Sequence, residues 1–454
     1  MSWERTLKSL AFVGLVMTAA LLVSGLAKGR GLVTAKPAAT PPASLSGTLS
    51  PPPPPPKYMA KEELADLLGP RDLEVAGEAY FEIFDNDGQP LFVQTTLDPD
   101  LQTKAQRWVN ASGAIRAALV VLDPANGKIL ALAGAGNPEG NAALESGFPA
   151  ASVFKIVTAA AAVERANFNA MTTVAYDGAK HTLYKANLAK GPDEGLHKAT
   201  LKDGFAESIN SVFGKLGAFS LLPSDLEEMA ESFGFNESLA FELPLSASSF
   251  ALGDDPEDTF RLAELASGFN RETRLSPVHG ALIASIALNG GDLYEPTIIS
   301  QVSDINDKVL YRNRPTLLGK AVSLQTSEEI SLLMQAALSE GTGRKHFSDV
   351  NRNPVLSKLI LGGKSGTIND ENGSKVDWFV AFAAPADSLD PDPATQDSLA
   401  LAAVIVHDGR VNLASQELVR KALLAYYSPR LKAKPESNKA MAGGQKPQRS
   451  KKSS

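Results

Sequence analysis

The sequence predicts an α/β fold, more closely an α+β sandwich, in which one antiparallel sheet lies between layers of helices. Apolar strand segments occur in pairs near both ends of the body of the chain, and the residues between them, roughly 153–350, have a mainly helical pattern. With 454 residues, of which 44% are hydrophobic and 21% charged, the chain can bury the core of one large domain or two modest ones.

The first segments predict a membrane-associated leader followed by a spacer. Residues 9–27 carry no charge and are preceded by Arg5 and Lys8, so they can form either a transmembrane anchor or a cleaved signal peptide. If they form an anchor, we expect residues 1–8 to lie in the cytoplasm. Residues 28–57 are rich in Pro, Ala, Ser and Thr and end in six prolines, which predicts an extended, semi-rigid linker.

Residues 58–112 predict a small α+β unit that leads into the main domain. The segment 79–94 surrounds Asn86-Asp87-Gly88 with alternating apolar and polar residues, a pattern typical of a β-hairpin. Asp98 precedes Pro99, which predicts a helix that begins with an aspartate cap and a proline in its first turn.

Residues 113–428 are predicted to form the main domain. Its clearest elements are two strand pairs, 116–123 with 128–134 and 378–384 with 399–407, and a closing helix, 413–427. A loop rich in Pro and Asp, 385–397, connects the second pair of strands. This pattern predicts that strands from both ends of the domain meet in one antiparallel sheet, with the helical middle packed against it.

Residues 429–454 are predicted to be a disordered basic tail; contact with an anionic surface is the alternative. The tail carries a charge of about +7, although the net charge of the whole chain is −7. The rest of the chain is therefore acidic, which argues against a nucleic-acid-binding protein.

The cysteine and histidine content of the chain does not indicate a metal site or a bound cofactor. The chain has no cysteine, and its five histidines are scattered without a metal-binding pair, so we predict neither a metal nor an organic cofactor. Gly363-Lys364-Ser365 matches the end of a phosphate-binding loop. That loop requires glycine where the chain has Lys358, so ATP binding is rejected.

Three short motifs occur once each, in the order Ser152-Val-Phe-Lys155, Ser208-Ile-Asn210, Lys364-Ser365-Gly366-Thr367. The apolar run after Ser152 predicts that this serine lies in the first turn of a buried helix, with Lys155 one turn further on the same face. A serine becomes nucleophilic only beside a base, and burial at a helix N-terminus favours a neutral lysine amine that can act as one. The alternative is a helix-capping serine beside a surface lysine.

The second and third motifs are predicted to lie on different elements. Ser208 and Asn210 either face a cleft or only cap the helix that follows them, and their pattern leaves both possibilities open. Lys364 follows an apolar segment and is predicted to lie in a strand. Side chains alternate along a strand, so we expect Lys364 and Gly366 on one side and Ser365 and Thr367 on the other.

Together these motifs, in this order and spacing, resemble the signature of the penicillin-binding protein transpeptidase domain, a family of active-site serine enzymes. Similar passages also occur at 95–102, 275–291 and 340–344, so the resemblance covers roughly residues 90–428. It implies a five-stranded antiparallel sheet flanked by helices. The chain departs from the family at Ser365, where threonine is commoner, and at Asp377, where a neutral residue is usual. We expect Asp377 to face solvent; an altered acceptor preference is the alternative.

The resemblance implies a role for each residue of the first two motifs. Ser152 is the implied nucleophile and Lys155 its base. Ser208 is the implied proton relay between Lys155 and the leaving group, and Asn210 is implied to form a hydrogen bond with the substrate amide.

The resemblance also implies roles along the third motif. Lys364 supplies positive charge, the hydroxyls of Ser365 and Thr367 bind the terminal carboxylate of the substrate, and Gly366 leaves room for the substrate backbone. The backbone N–H groups of Ser152 and Thr367 are the implied oxyanion hole.

The implied activity is that of a membrane-tethered D,D-transpeptidase, most similar to a monofunctional class B-type member, which cross-links peptidoglycan stem peptides through an acyl-enzyme on Ser152 and is inhibited by β-lactams. Implied partners are stem peptides, β-lactam antibiotics, a membrane glycan polymerase and other cell-wall proteins. The implied location is the cytoplasmic membrane, crossed once, with the catalytic domain in the periplasm or extracytoplasmic space. The alternatives are a D,D-carboxypeptidase or β-lactamase-like hydrolase, and a catalytically silent cell-wall scaffold or β-lactam sensor.

Overall fold

The computed structural model of the chain describes residues 58–68, 79–137, 140–191, 193–386 and 397–433. The predicted leader and linker, most of the basic tail and most of the loop 385–397 lie outside the described residues. Within those ranges, no helix has both the length and the apolar character needed to cross a membrane.

The strands define the central sheet and several smaller ones. In chain order they are β1 (Tyr80–Phe84), β2 (Pro90–Thr95), β3 (Arg116–Leu122), β4 (Ile129–Ala135), β5 (Phe148–Pro149), β6 (Thr173–Tyr176), β7 (His197–Thr200), β8 (Arg274–Leu275), β9 (Asp292–Tyr294), β10 (Ile299–Asp304), β11 (Val309–Arg312), β12 (Leu317–Lys320), β13 (Leu359–Asn369), β14 (Lys375–Pro385) and β15 (Leu399–His407).

The helices surround these strands. In chain order the α-helices of the described residues are α1 (Lys61–Leu67), α2 (Pro99–Asn110), α3 (Lys155–Ala166), α4 (Leu201–Ala206), α5 (Asn210–Lys215), α6 (Pro223–Ser232), α7 (Thr259–Ser267), α8 (Pro277–Ser285), α9 (Leu324–Ser339), α10 (Arg344–Phe347) and α11 (Ser415–Ala433).

The central sheet is antiparallel, as the sequence predicts, and has five strands, as the resemblance implies; their order is β13-β14-β15-β3-β4. The two strand pairs from opposite ends of the chain meet where β15 pairs with β3. Strand β13, which carries the third motif, lies at one edge and has only β14 as a neighbour in this sheet. The motif is therefore on an edge strand that a ligand can approach.

The central sheet is buried on both faces, which explains why its inner strands β3 and β15 are almost wholly apolar. Helix α8 packs against β14, β15 and β3 on one face, and α11 packs on the other. Side chains of successive β3 residues point to opposite faces of the sheet. Val120 lies in the hydrophobic core on the side of α8, and Leu119 and Val121 lie in the core on the side of α11. The two layers of the predicted sandwich are thus confirmed.

The predicted hairpin at 79–94 is confirmed, and it belongs to a larger sheet. Strand β1 pairs with β2, and β2 also pairs with β10, which completes a four-stranded sheet in the order β1-β2-β10-β11. The sequence predicted a mainly helical middle, and this is wrong for residues 292–320, which contain β9 to β12. The pairing of β2 with β10 joins residues about two hundred positions apart, so it has no local signal.

The predicted start of α2 is confirmed, and the closing helix is longer than predicted. The Asp98 side chain accepts a hydrogen bond from the backbone N–H of Leu101, with Pro99 in the first turn. Helix α11 continues to Ala433, so residues 429–433 are helical although they were predicted to belong to the disordered tail. Arg430 explains the extension, because its guanidinium bonds the carbonyl of Tyr426 and the carboxylate of Asp98.

Candidate active site

Ser152 lies in a 3-10 turn, Ala151–Phe154, that continues directly into α3. Ala151 has φ of 50°, a left-handed conformation that costs a residue with a side chain roughly 1–2 kcal/mol. Gly268, just after α7, packs against this turn, and a Cβ built on it would lie 2.0 Å from the Ala151 carbonyl oxygen. The position of Ser152 thus depends on a strained turn held by a close backbone contact.

The Lys155 side chain is fully buried, and its amine is beside the Ser152 hydroxyl. Lys155 Nζ lies 2.8 Å from Ser152 Oγ, and it donates to Asn210 Oδ1 at 2.8 Å and to the Ser267 carbonyl at 2.5 Å. Burial, followed by the positive charge of Lys364, lowers the pKa of Lys155 well below its usual range. The neutral amine that a proton acceptor requires is therefore favoured, and the alternative of a surface lysine is wrong.

Ser208 and Asn210 are both buried and frame the turn between α4 and α5. Ser208 has φ of 54°, and the backbone N–H of Asn210 donates to the Lys180 carbonyl at 2.7 Å. Ile209 occupies the cap position of α5, where no side chain caps the helix. Asn210 instead contacts Lys155, and Ser208 contacts Lys364, so the alternative of capping residues is wrong.

Lys364 is the second fully buried lysine of the site. Its Nζ donates to Ser208 Oγ at 2.9 Å and to the Ser365 carbonyl at 3.0 Å. Burial lowers the pKa of Lys364 to about 7, so this amine can change protonation near neutral pH. Ser208 was predicted to relay protons from Lys155; the contact described here connects it to Lys364.

Gly366 brings β13 against the turn of Ser152. A Cβ on Gly366 would lie 3.3 Å from the backbone nitrogen of Ser152, which is closer than most real contacts of a Cβ atom. Lys364 and Gly366 thus approach Ser208 and Ser152 from the same strand, as the predicted alternation requires. Glycine permits this approach without displacing the strand.

The hydroxyls of Ser365 and Thr367 each bond a neighbouring side chain. Ser365 Oγ lies 2.6 Å from Thr342 Oγ1, and Thr367 Oγ1 donates to Asp377 Oδ1 at 3.3 Å. The expectation that Asp377 faces solvent is wrong, because Asp377 is half-buried and its other oxygen accepts from Ser415. The aspartate is directly opposite Thr367 in the pairing of β13 with β14, which points both side chains to the same face.

Three further residues of the site were not predicted. Ser267 contributes a backbone carbonyl, Gly268 a close backbone approach, and Thr342 a hydroxyl. A carbonyl acceptor and a backbone contact leave no signal in residue type. Thr342 lies in the passage 340–344 that supported the resemblance, so that passage could have identified it.

The described part of the chain contains no group of three or more acidic or histidine side chains arranged to hold a metal ion. A serine hydroxyl in hydrogen-bond contact with a neutral amine can attack the carbonyl carbon of an amide. The neutral amine takes the hydroxyl proton, the C–N bond of the amide breaks, the leaving amine gains a proton, and the serine becomes an ester.

Comparison with known proteins agrees with this geometry. Residues 117–412 match the model of a protein family described as the penicillin binding protein transpeptidase domain. The match covers more than half of the chain and includes all three motifs.

Two relatives and one solved structure illustrate the similarity. The chain is 25% identical to Stage V sporulation protein D of Bacillus subtilis over 65% of its own length, and covers 46% of that protein. It is also 25% identical to peptidoglycan D,D-transpeptidase PbpA of Mycolicibacterium smegmatis, with 70% of this chain and 67% of the relative covered. The D,D-transpeptidase domain of a peptidoglycan glycosyltransferase from Eggerthella lenta has the same fold, with a TM-score of 0.59 and 24% identity over 75% of this chain and 83% of that one.

Proposed function

The chain belongs to the penicillin-binding protein transpeptidase family, and on this premise we propose that it is a D,D-transpeptidase that cross-links peptidoglycan stem peptides. The observation that carries the proposal is the 2.8 Å contact of Lys155 Nζ with Ser152 Oγ, made by a buried lysine of strongly lowered pKa. A relative named as a peptidoglycan D,D-transpeptidase, which aligns with 70% of this chain, supports the reaction type.

Acylation begins with the transfer of the Ser152 hydroxyl proton to the neutral amine of Lys155. Ser152 Oγ then forms a bond to the carbonyl carbon of the penultimate D-alanine of a stem peptide. The negative oxygen of the tetrahedral intermediate is stabilised by the backbone N–H groups of Ser152 and Thr367. The close approach of Gly366 to the Ser152 nitrogen brings these two segments together.

The intermediate collapses when the C–N bond to the terminal D-alanine breaks and its amine gains a proton. Ser208 Oγ and Lys364 Nζ, 2.9 Å apart, provide a route for that proton, because Lys364 has a pKa of about 7 and can donate near neutral pH. The products are free D-alanine and an ester of Ser152. An amine of a neighbouring stem peptide then attacks the ester carbonyl carbon and the C–O bond to Ser152 breaks. Ser152 Oγ takes its proton back from Lys155, and the attacking amine gives up one proton to Lys364 through Ser208, so the cross-link forms and both lysines return to their starting states.

Two groups of residues orient the substrate in this proposal. Asn210 forms a hydrogen bond with the substrate amide while its oxygen holds Lys155. The hydroxyls of Ser365 and Thr367 lie on the edge strand, where the terminal carboxylate of the substrate binds. β-Lactams enter as substrate analogues and leave the same ester on Ser152.

We further propose the domain organisation that the sequence predicts. Residues 9–27 anchor the protein in the cytoplasmic membrane, residues 28–57 form the spacer, 58–112 the lead-in and 113–428 the catalytic domain on the extracytoplasmic side. A membrane glycan polymerase is the proposed partner, because cross-linking requires newly made glycan strands as its substrate.

The test is intact-protein mass spectrometry of the full chain after incubation with benzylpenicillin. We expect a stable covalent adduct in the wild-type protein and in Ser348→Ala, an exposed serine outside the site, and none in Ser152→Ala. A folded wild-type protein without an adduct would contradict the proposal and favour a silent scaffold. Incubation with stem peptides then distinguishes a transpeptidase from a carboxypeptidase or β-lactamase-like hydrolase, since only a transpeptidase yields a cross-linked dimer.

A further inference from the structure

Arg271 lies on the loop that connects α7 with β8 and borders the turn of the proposed nucleophile. The first residue of this loop, Gly268, packs against the carbonyl of Ala151. The last residue, Thr273, accepts a hydrogen bond at its carbonyl from the backbone N–H of Ala150 at 2.9 Å. Both ends of the loop are thus fixed against the segment that carries the serine, and Arg271 is held beside the site.

The Arg271 side chain is attached to the free edge of β13. Its Nε donates to the carbonyl of Asn369 at 2.7 Å. The backbone N–H of Asp370 donates to the Ser374 carbonyl at 2.9 Å, within the hairpin that joins β13 to β14. Backbone groups alternate in direction along a strand, so those of Thr367 and Asn369 point to the free edge. Arg271 therefore lies two residues, roughly 7 Å, beyond Thr367 along the edge that the substrate is proposed to occupy.

The acidic side chains near Arg271 are engaged by other groups. Glu272 pairs with Arg261 at 3.2 Å, and Glu371 pairs with Arg274. Two further carboxylates around the ends of β13 and β14 accept hydrogen bonds from hydroxyls and backbone N–H groups, and these are Asp370 and Asp377. Among the described residues, the exposed guanidinium of Arg271 forms no ion pair. Its terminal nitrogens are therefore available to a ligand.

The proposed reaction determines which part of the substrate lies beside Arg271. The leaving D-alanine lies toward Lys364, which supplies the proton to its amine. The carbonyl that is attacked lies where Gly366 approaches the backbone nitrogen of Ser152. The acyl part of the stem peptide therefore continues along the edge in the opposite direction, toward Asn369 and the arginine bound to it.

We infer that Arg271 is a specificity-determining residue that binds a free carboxylate in the acyl part of the donor stem peptide, within about two residues of the bond that is cut. The inference rests on the proposed function, which places the stem peptide along the edge of β13. A guanidinium held through Nε keeps both terminal nitrogens for a bidentate pair with a carboxylate. This contact is separate from the hydroxyls of Ser365 and Thr367, which are proposed to bind the carboxylate of the leaving D-alanine.

The test compares acylation of the full chain by carbenicillin and by benzylpenicillin, which differ by one carboxylate on the acyl side chain. Both keep the ring carboxylate, so its binding cancels in the ratio of their second-order rate constants. In Arg271→Gln we expect the ratio of carbenicillin to benzylpenicillin to fall about fivefold, the upper range for an exposed ion pair. Arg271→Lys keeps the charge, and its ratio is expected to stay within about twofold of the wild type.

Lys375→Gln is the matched control. Lys375 is an exposed base directly opposite Asn369 in the pairing of β13 with β14, and it forms no ion pair with another described residue. Its removal takes away one positive charge from the same hairpin and leaves Arg271 in place. We expect the ratio to change less than about twofold, because an exposed charge that does not touch the ligand is screened by solvent and salt.

The possible results separate the inference from the proposed function. A merely structural role of Arg271 would slow both penicillins alike, and such an unchanged ratio would overturn the inference while the adduct on Ser152 still supports the proposed function. An equal fall of the ratio in Lys375→Gln would show a general effect of charge and would also overturn it. If the folded wild-type protein reacts with neither penicillin, the proposed function fails and the inference fails with it.

Discussion

Lys155 and Lys364 are both fully buried, and the charge of Lys364 is the second cause, after burial, of the lowered pKa of Lys155. The two amines come from different elements, the first turn of α3 and the edge strand β13. Each contacts a residue of the remaining motif, Asn210 for Lys155 and Ser208 for Lys364. The three motifs are thus joined through two buried lysines whose pKa values are both lowered.

The coupling predicts how the pH profile of acylation responds to a substitution. Lys364→Gln removes a positive charge near Lys155, so the pKa of Lys155 rises and the neutral amine appears only at higher pH. In a plot of the benzylpenicillin acylation rate against pH, we expect the acidic limb to move to higher pH. Lys364→Arg keeps a charge and is the control, whose limb stays near that of the wild type even where its rate is lower. Identical midpoints in the wild type and in Lys364→Gln would contradict the coupling.

The buried amine of Lys364 also predicts a dependence of stability on pH. Its pKa is about 7 in the folded protein and 10.5 as a free lysine, so the folded state binds fewer protons than the unfolded state between these values. The penalty for burying Lys364 is fully present below about pH 7 and is relieved as the pH rises toward 10.5.

Lys364→Met removes this penalty and is the variant that tests it. We expect its advantage in the free energy of unfolding over the wild type to shrink with rising pH, by at most roughly 1.4 kcal/mol per pH unit. Urea unfolding of both proteins across the neutral to alkaline range measures the difference. An advantage that is constant with pH, or that grows, would show that Lys364 is charged when folded.

The close contact between Gly268 and Ala151 predicts that adding a methyl group at position 268 severely lowers both stability and activity. In Gly268→Ala the new Cβ would lie 2.0 Å from the Ala151 carbonyl, so the turn of Ser152 has to move. We expect the free energy of unfolding to fall by about 3 kcal/mol or more and acylation to fall at least about a hundredfold.

The control for this substitution is Gly253→Ala. Gly253 also has a positive φ, 98°, but its nearest neighbour would be the Arg261 side chain at 3.7 Å. It therefore isolates the cost of the backbone conformation, roughly 1–2 kcal/mol, without a clash at the site. Equal losses in the two variants, measured by urea unfolding and by penicillin acylation, would show that the backbone contact beside Ser152 is unimportant.

Features of the fold that depend on neighbouring residues were predictable from the sequence, and features that depend on distant residues were not. The strands of the central sheet were predictable because they are continuous apolar runs, which is typical of strands buried on both faces. The hairpin around Gly88 and the aspartate cap of α2 were predictable because they depend on neighbouring residues. The pairing of β2 with β10, and the extension of α11 past Pro429, depend on partners far away in the chain.

The same distinction holds at the site. The motif residues and the face on which Lys364 and Gly366 lie followed from residue type and strand alternation. The contact of Ser208 with Lys364, and the position of Asp377 between Thr367 and Ser415, did not follow from it. An aspartate on a strand can face solvent or a neighbouring hydroxyl, and only the placement of α11 decides between them.

By itself, the sequence determined which groups are available: a serine with a lysine one turn away, an edge strand with lysine and glycine, and apolar strands that must pair. These properties depend on spacing along the chain, which a reader of the sequence can count. The tertiary structure alone decided that the amines of Lys155 and Lys364 are buried with lowered pKa values, and that the Ser152 hydroxyl lies beside the amine that can take its proton. Burial and hydrogen bonding between distant segments set those outcomes, because both depend on which atoms the folded chain excludes from water.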